Sequence, residues 1–290
     1  MNIQVWTDTD LHGAGAALVL KWLYKDADTF SINDVSESTI TGRFKGALHT
    51  LDHYDRIYIL DLDLTPQQIK LIDRDNVVVI DSHKNHSQYT DLYEKAKPII
   101  DKGEYSCIKL IYKKFKKHLS HLTDKQLKLI SCIEQYDWYN SDNKESLKLN
   151  AIYYNLNSPK TENFINAFEG GLREYTVQEK NAIKLYFKKF KDQLSGETFK
   201  GKVKEYNVVA TFANYAINEL AHYLLNKHNC DISIIVNTQN KTVSFRRSKN
   251  CNADVSILAQ KLCNGGGHAA AAGGKLTEQF ASLTKQFTAC

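Results

Sequence analysis

Acidic and imidazole side chains occur in this sequence in tight groups that directly follow short apolar runs. The first group, Asp8-Thr9-Asp10-Leu11-His12-Gly13, follows the apolar stretch 3–7. Asp61, with Asp63 two places on, follows Arg56-Ile57-Tyr58-Ile59-Leu60. Asp81-Ser82-His83-Lys84-Asn85-His86 follows Asn76-Val77-Val78-Val79-Ile80, and Asp137 lies further on in Cys132-Ile133-Glu134-Gln135-Tyr136-Asp137-Trp138. Clustered carboxylates repel one another unless a cation sits among them. Carboxylates mixed with imidazoles suit a divalent transition metal such as manganese, which accepts oxygen and nitrogen ligands, with magnesium as the alternative. Aspartates bridging two such ions would suit hydrolysis of a phosphate ester: one ion helps activate water and both neutralise the group in transfer. A single ion is the simpler form of the same site.

A further group lies near the C-terminus. Gly265-Gly266-Gly267-His268 is followed by four alanines and by Gly273-Gly274, and Phe245-Arg246-Arg247-Ser248 precedes it. Glycines let a backbone approach a ligand closely, and their N–H groups can cradle a phosphate. Guanidinium groups suit phosphate recognition, and His268 adds a polar or cationic contact. The alanine run is expected to begin a closely packed helix.

The elements that must hold these residues read as alternating strands and helices in the first half. Strands are expected at 3–7, 56–60 and 76–80, a helix at 13–24, and another opening at Thr65-Pro66, with Thr65 as N-cap and Pro66 at the first helical position. This pattern implies an α/β domain, a parallel sheet with helices on both faces. Each strand then delivers carboxylates at its C-terminal end, where ligands bind in open parallel sheets. Residues 106–155 read as helical and 175–191 as a basic connecting helix. Beyond 199 the texture changes to a smaller α/β domain: a strand at 203–212, helices at 214–226 and 254–262, and a strand pair at 232–236 and 242–245. The expected division is a metal-binding domain at 1–170, a helical linker at 171–198 and a substrate-binding domain at 199–290.

Composition narrows the class. The 290 residues are 42% hydrophobic, enough for real cores, and carry a formal net charge of +5. Lysines crowd 109–117 and 184–191; the simplest reading is solvated helix faces, the alternative a surface that tracks phosphates. The six cysteines are scattered without C-x-x-C spacing, which argues against a zinc or dithiol site. No apolar run is long enough to span a bilayer, and the N-terminus lacks the charged start and long apolar stretch of a secretory signal. A cytoplasmic protein with no membrane partner is expected; a homodimer is left open.

The ordered set of motifs, from Val5 to Gly274, resembles the DHH phosphoesterase family with its DHH-associated C-terminal domain. That group includes RecJ-type exonucleases, small-oligonucleotide ribonucleases and cyclic-dinucleotide phosphodiesterases. The resemblance implies that Asp61 and Asp137 bridge the ions, that Asp8, Asp10 and His12 complete the ligand set, and that His83, with Asp81, works at the scissile phosphate. It implies that Arg246, Arg247, Ser248, Gly265, Gly266, Gly267 and His268 hold the substrate, a short single-stranded nucleic acid or a linear or cyclic dinucleotide. Two departures stand out. The opening motif, commonly His-x-Asp-x-Asp-Gly, has its His and last Asp exchanged. The name-giving motif reads Asp81-Ser82-His83, so that Ser82 replaces a metal-binding histidine for which His12 or His86 could compensate. The expected activity is that of a manganese-dependent phosphodiesterase working from a substrate end. The alternative is a degenerate, non-catalytic nucleotide- or nucleic-acid-binding protein of the same fold.

Overall fold

The computed structural model describes residues 1–36, 39–83, 86–102, 104–137, 144–267 and 269–276, with Asp137 described by its backbone alone. The chain divides into two units, Met1–Ile183 and Lys184–Cys290.

The first unit contains, in order, β1 (Asn2–Asp8), α1 (Leu11–Leu23), β2 (Thr29–Val35), α2 (Ile40–Ala47), β3 (Arg56–Leu60), α3 (Pro66–Ile72), β4 (Val77–Asp81), β5 (Lys97–Ile100), α4 (Cys107–Lys114), α5 (Asp124–Asp137), α6 (Lys144–Asn155), α7 (Lys160–Phe168) and the start of α8 (Val177–Gln193). Its five strands form one parallel sheet in the order β2-β1-β3-β4-β5. Strands β1, β3 and β4 are buried on both sides, which is why they read as unbroken apolar runs. Alternate residues serve opposite faces. Ile3, Val5, Tyr58, Leu60, Val78 and Ile80 pack with α1, α4, α5, α6 and α7. Trp6, Ile57, Ile59, Val77 and Val79 pack with residues of α2 and α3 on the other side. The expected sheet with helices on both faces is therefore present. The edge strands β2 and β5 were not expected; they are only partly buried, β2 is half polar in sequence and β5 is only four residues long.

Chain order and strand order together create one special place. From β1 the chain moves outward to β2, then returns past β1 to β3, so the direction of winding reverses between β1 and β3. In this strand order that reversal opens a crevice at the carboxyl ends of the two strands. Thr7 pairs with Leu60, which brings Asp8 and Asp61 side by side at its rim.

The second unit holds the rest of α8, then β6 (Thr198–Val203), β7 (Tyr206–Phe212), α9 (Ile217–His228), β8 (Ile232–Asn237), β9 (Thr242–Arg247), α10 (Val255–Cys263), β10 (Gly266–Gly267) and β11 (Ala271–Lys275). The sheet order is β10-β11-β9-β8-β7-β6, antiparallel except between β7 and β8. One core lies against α10 around Phe245 and Val255; the other lies against α9 around Leu220, Leu224 and Ile235. Two expectations need correction here. The single strand expected at 203–212 is the second arm of a hairpin that turns at Lys204, whose φ is 55°. The alanine run does not begin a helix: Ala271 and Ala272 are strand residues paired with Arg246 and Phe245. Small side chains fit both states, and here the unpaired edge of β9 decides for the strand.

Helix α1 is buried on nearly all sides, and its glycines let it come that close. A Cβ on Gly13 would lie 2.5 Å from the Asp8 carbonyl oxygen and 2.6 Å from Thr7 Oγ1. Alanine there would gain about 1 kcal/mol in helix propensity, but the backbone of β1 cannot give way cheaply. Gly13→Ala is expected to lower unfolding free energy by about 2 kcal/mol in urea titrations. Gly42→Ala in α2, where nothing lies within 4 Å, is the control and is expected to be neutral or slightly stabilising.

Candidate metal centre

The carboxyl ends of β1, β3 and β4 carry Asp8, Asp61 and Asp81 to one region of the first unit. Asp61 is the first residue beyond β3. It is buried, its N–H donates to the Ile80 carbonyl at 3.0 Å, and its φ is 57°. A left-handed backbone at a non-glycine residue costs roughly 1–2 kcal/mol and is found where a functional geometry demands it. The turn re-aims the carboxylate toward α1, where Asp61 Oδ2 lies 3.2 Å from His12 Nδ1, both side chains being almost wholly buried. Asp10 is the N-cap of α1: its Oδ1 accepts from the Gly13 N–H at 2.8 Å. Asp8 Oδ1 accepts from the Thr9 N–H at 2.7 Å.

The charges of this group do not balance. Burial and the negative charges of Asp10 and Asp61 push the Asp8 carboxyl up to about 8, against the opposing hydrogen bond from Thr9 and the charge of His83. A carboxyl that keeps its proton for want of nearby positive charge fits a cation ligand, because an ion would supply the missing charge. Asp61 and His12, in contact, and Asp8, which feels the charge of Asp61, offer carboxylate and imidazole donors of the kind manganese or magnesium takes.

Beside it, Asp81 is fully buried. Its Oδ1 lies 2.7 Å from His83 Nδ1, and its Oδ2 lies 2.7 Å from His86 Nδ1 and 3.3 Å from the His83 N–H, which donates to it. Burial opposes its charge, but the charge and hydrogen bond of His83 and the hydrogen bond of His86 outweigh it and hold Asp81 well below the usual carboxylate range. The same contact, with help from Asp61 and Asp63, raises His83 well above the ordinary imidazole value in spite of burial. His86 is wholly buried, and its Nε2 lies 2.7 Å from the Tyr93 hydroxyl.

Among the described residues, donor atoms of Asp61, Asp81 and His83 come within 4.8 Å of one another, as do those of Asp63, Asp81 and His86. The second trio is the more occupied, since both nitrogens of His86 are engaged; the oxygens of Asp81, common to the two trios, are hydrogen-bonded in either case. The suggestion that His86 compensates for Ser82 as a metal ligand meets the same obstacle. Ser82 itself is buried at the end of β4. Asp137 is the last residue of α5, and its side chain lies outside the described residues, as does His268.

In the second unit Arg246 and Arg247 are neighbours on a strand, so their side chains leave opposite faces. Arg246 Nε donates to Asn218 Oδ1 on α9 at 2.9 Å, and its Nη1 donates to the Phe245 carbonyl at 2.9 Å. Arg247 shares the face of Val243 and Phe245, toward α10. Ser248 follows the strand, its N–H bound to the Asp231 carbonyl at 2.8 Å. The glycines have a packing reason. A Cβ on Gly265 would lie 2.0 Å from the Gly273 carbonyl oxygen, and Gly267 has φ 133°. Of the three, Gly266 has open space where a side chain would be. His222, which shows no ligand spacing in sequence, is held down to about 3 by burial and by the nearby charges of Arg246 and Lys249. His12 against Asp61 and Tyr93 behind His86 are likewise contacts that sequence spacing does not announce.

Residues 205–290 match the DHHA1 domain. Three solved structures share the fold. One is a pGpG-specific phosphodiesterase, PggH, from Vibrio cholerae, with 15% identity, TM-score 0.59, and 99% of this chain and 97% of that one covered. An exopolyphosphatase-related protein from Bacteroides fragilis has 15% identity, TM-score 0.56, and 98% and 90% covered. RecJ from Thermus thermophilus in complex with Mn2+ has 12% identity, TM-score 0.56, and 98% and 51% covered. No curated protein matches the chain in sequence. The class defined by fold and site is an α/β protein with an acidic, histidine-bearing centre at a sheet switch point. Residues 205–290 thus carry a DHHA1 domain, and the chain as a whole shares the fold of these three structures.

The Asp81–His83 contact makes stability depend on pH. The Asp81 contribution is present above the ordinary carboxylate range and is lost as pH falls through its depressed value. The His83 contribution is present in full below the ordinary value of 6.5 and is lost as pH rises through its raised value. Asp81→Asn is therefore expected to cost about 3 kcal/mol near pH 6. The gap from wild type should narrow toward alkaline pH, as read by urea unfolding in the presence of a chelator. A gap that stays constant on the alkaline side would show that His83 does not draw its charge from Asp81.

Proposed function

We propose that this chain is a metal-dependent phosphodiesterase that hydrolyses short single-stranded oligonucleotides or dinucleotides, working from an end. The observation that carries the reading is the approach of donor atoms of Asp61, Asp81 and His83 to within 4.8 Å of one another, with His12 in contact with Asp61 and Asp8 raised by its acidic neighbours. The named activities of the similar structures, a pGpG phosphodiesterase and the exonuclease RecJ, support the substrate class.

Manganese, with magnesium as the alternative, would be held by Asp8, Asp10, His12, Asp61 and Asp137. Bound there, the metal supplies positive charge to the phosphate oxygens and lowers the pKa of a water. Asp10 caps α1 through Oδ1 and would ligate through Oδ2. His83 binds Asp81 through Nδ1, so whatever it offers a phosphate it offers through Nε2. Asp81 is too buried to touch substrate and acts through His83. In the second unit Arg246, Arg247, Ser248, the glycines 265–267 and His268 would hold the remainder of the substrate. Arg246 and Arg247 cannot both serve one phosphate, because they leave opposite faces of β9.

Ser82, where a metal-binding histidine is common in the family, favours a second reading: a nucleotide- or nucleic-acid-binding protein that does not cut. The deciding experiment incubates purified protein and manganese with di- to decanucleotides of both sugars, longer single strands and cyclic dinucleotides. Turnover of a short substrate supports the first reading; binding without turnover across the panel supports the second.

Two variants test the centre. Asp61→Asn keeps the shape and the tolerance for left-handed φ while removing the charge. It should fold normally yet lose manganese binding and turnover by on the order of a thousandfold; near-normal turnover would remove Asp61 from the site. If His12 supplies the imidazole that Ser82 cannot, His12→Ala should be nearly as damaging, and Ser82→His should partly rescue it. Manganese-dependent turnover of wild type, both single mutants and the double mutant forms the cycle. Strict additivity would show that His12 does not stand in for the missing histidine.

A further inference from the structure

His86 and Tyr93 have no place among the residues so far assigned to metal or substrate, yet they form an ordered buried polar array. The chain leaves β4 at Asp81 and turns back through a short 3-10 segment, His86–Leu92, before reaching Tyr93. The His86 N–H donates to the His83 carbonyl at 3.0 Å, which ties this segment to the motif. The His86 ring is completely buried. It lies between Asp81 Oδ2 and the Tyr93 hydroxyl, each 2.7 Å from one of its nitrogens.

The proton positions in this array follow from its chemistry. A buried carboxylate only accepts, so His83 and His86 both present Nδ1–H to Asp81. His86 Nε2 is then an acceptor when the ring is neutral, and Tyr93 is the donor that matches it. Burial, with the charges of Asp81 and Asp73, raises the Tyr93 hydroxyl above its ordinary value, so it keeps the proton this role needs. The array runs one way: Tyr93 O–H to His86, His86 N–H to Asp81, and His83 N–H to the other oxygen of Asp81. Asp81 is thereby fixed in rotation, and its Oδ2, the atom that could otherwise turn toward a metal, is occupied.

We propose that His86 and Tyr93 are positioning residues that hold Asp81 as the orienting partner of His83, fixing the His83 ring with Nδ1–H on Asp81 and Nε2 toward substrate. This rests on the phosphodiesterase reading for its kinetic consequence but not for its structural one. Neither residue touches substrate. Outer partners of this kind are typically worth about 10–100-fold in activity.

The test uses the full-length protein and two independent readouts. Long-range nitrogen–proton NMR of the histidine rings, recorded at alkaline pH where His83 has lost its second proton, reports the tautomer of His83 in wild type, His86→Leu, His86→Asn and Tyr93→Phe. Wild type is expected to show Nδ1–H at His83. His86→Leu should give a mixture of tautomers, Tyr93→Phe a smaller shift the same way, and His86→Asn, whose amide can still donate to Asp81, should restore the wild-type form. In turnover assays His86→Leu should lower kcat by about 10–100-fold with little change in KM, and His86→Asn should recover most of it. Manganese affinity should change by less than about threefold in all three, because the array lies behind His83 and not among the ligands. An Nε2–H tautomer at His83 in wild type, or a tautomer indifferent to a folded Tyr93→Phe or His86→Leu, overturns the proposal. If the tautomer responds as stated while wild type cuts nothing in the substrate panel, the positioning array stands and the phosphodiesterase reading falls.

Discussion

Strands β1 and β4 end in aspartate and β3 is followed by one, so three carboxylates are delivered to one volume at the carboxyl edge of the sheet. Mutual repulsion in that volume is the constraint around which the first unit is arranged. Each carboxylate meets it differently. Asp81 gathers two imidazoles and stays ionised; Asp61 has His12 beside it; Asp8, with like charges as its nearest neighbours, retains a proton toward neutral pH. The first two are satisfied from within the chain. Asp8 is the member that gains most from a cation, and it stands at the rim of the crevice where one would enter.

The packing serves this arrangement. His12 reaches Asp61 because α1 starts immediately after β1 and runs so close to it that Gly13 has no room for a methyl group. Gly15 does the same further along, where a Cβ would lie 2.9 Å from Ile133 Cδ1 of α5. A helix buried on nearly every side cannot shift to relieve strain, so the position of His12 is fixed by the hydrophobic core and not by its own contact with Asp61. The left-handed turn at Asp61 then brings the carboxylate to the imidazole.

Much of this is legible in the sequence, and the limits of legibility have physical causes. Strands β1, β3 and β4 announce themselves because a strand buried on both faces must be apolar throughout, and an aspartate at its end is conspicuous. Edge strands β2 and β5 face solvent on one side, and Thr29-Phe30-Ser31-Ile32-Asn33-Asp34-Val35 carries too weak a pattern to separate from a loop. The alanine run at 269–272 misleads because side chains this small record neither period, and its state is set by the distant strand β9. Arg246 and Arg247 look like a pair in sequence and are separated by the pleat. The partnership of His86 with Tyr93 runs across a short 3-10 segment, and nothing in the spacing of a histidine and a tyrosine seven places apart marks it in sequence. The motifs nonetheless lead to the right fold and to the DHHA1 domain at 205–290, because strand ends and glycine contacts are the places where residue type is most narrowly constrained.

The strand order of the second unit bears on how the molecule behaves in concentrated solution. Among the described residues the six-stranded sheet ends in two border strands, each a row of backbone groups on which a foreign strand could grow. At one border stands β10, two glycines long, too short to template an ordered addition. At the other stands β6, which offers more backbone but carries Lys200 and Lys202, both exposed, so that a second copy approaching edge to edge would meet its own positive charge. The sheet is thus guarded against edge-to-edge self-association at one end by brevity and at the other by repulsion.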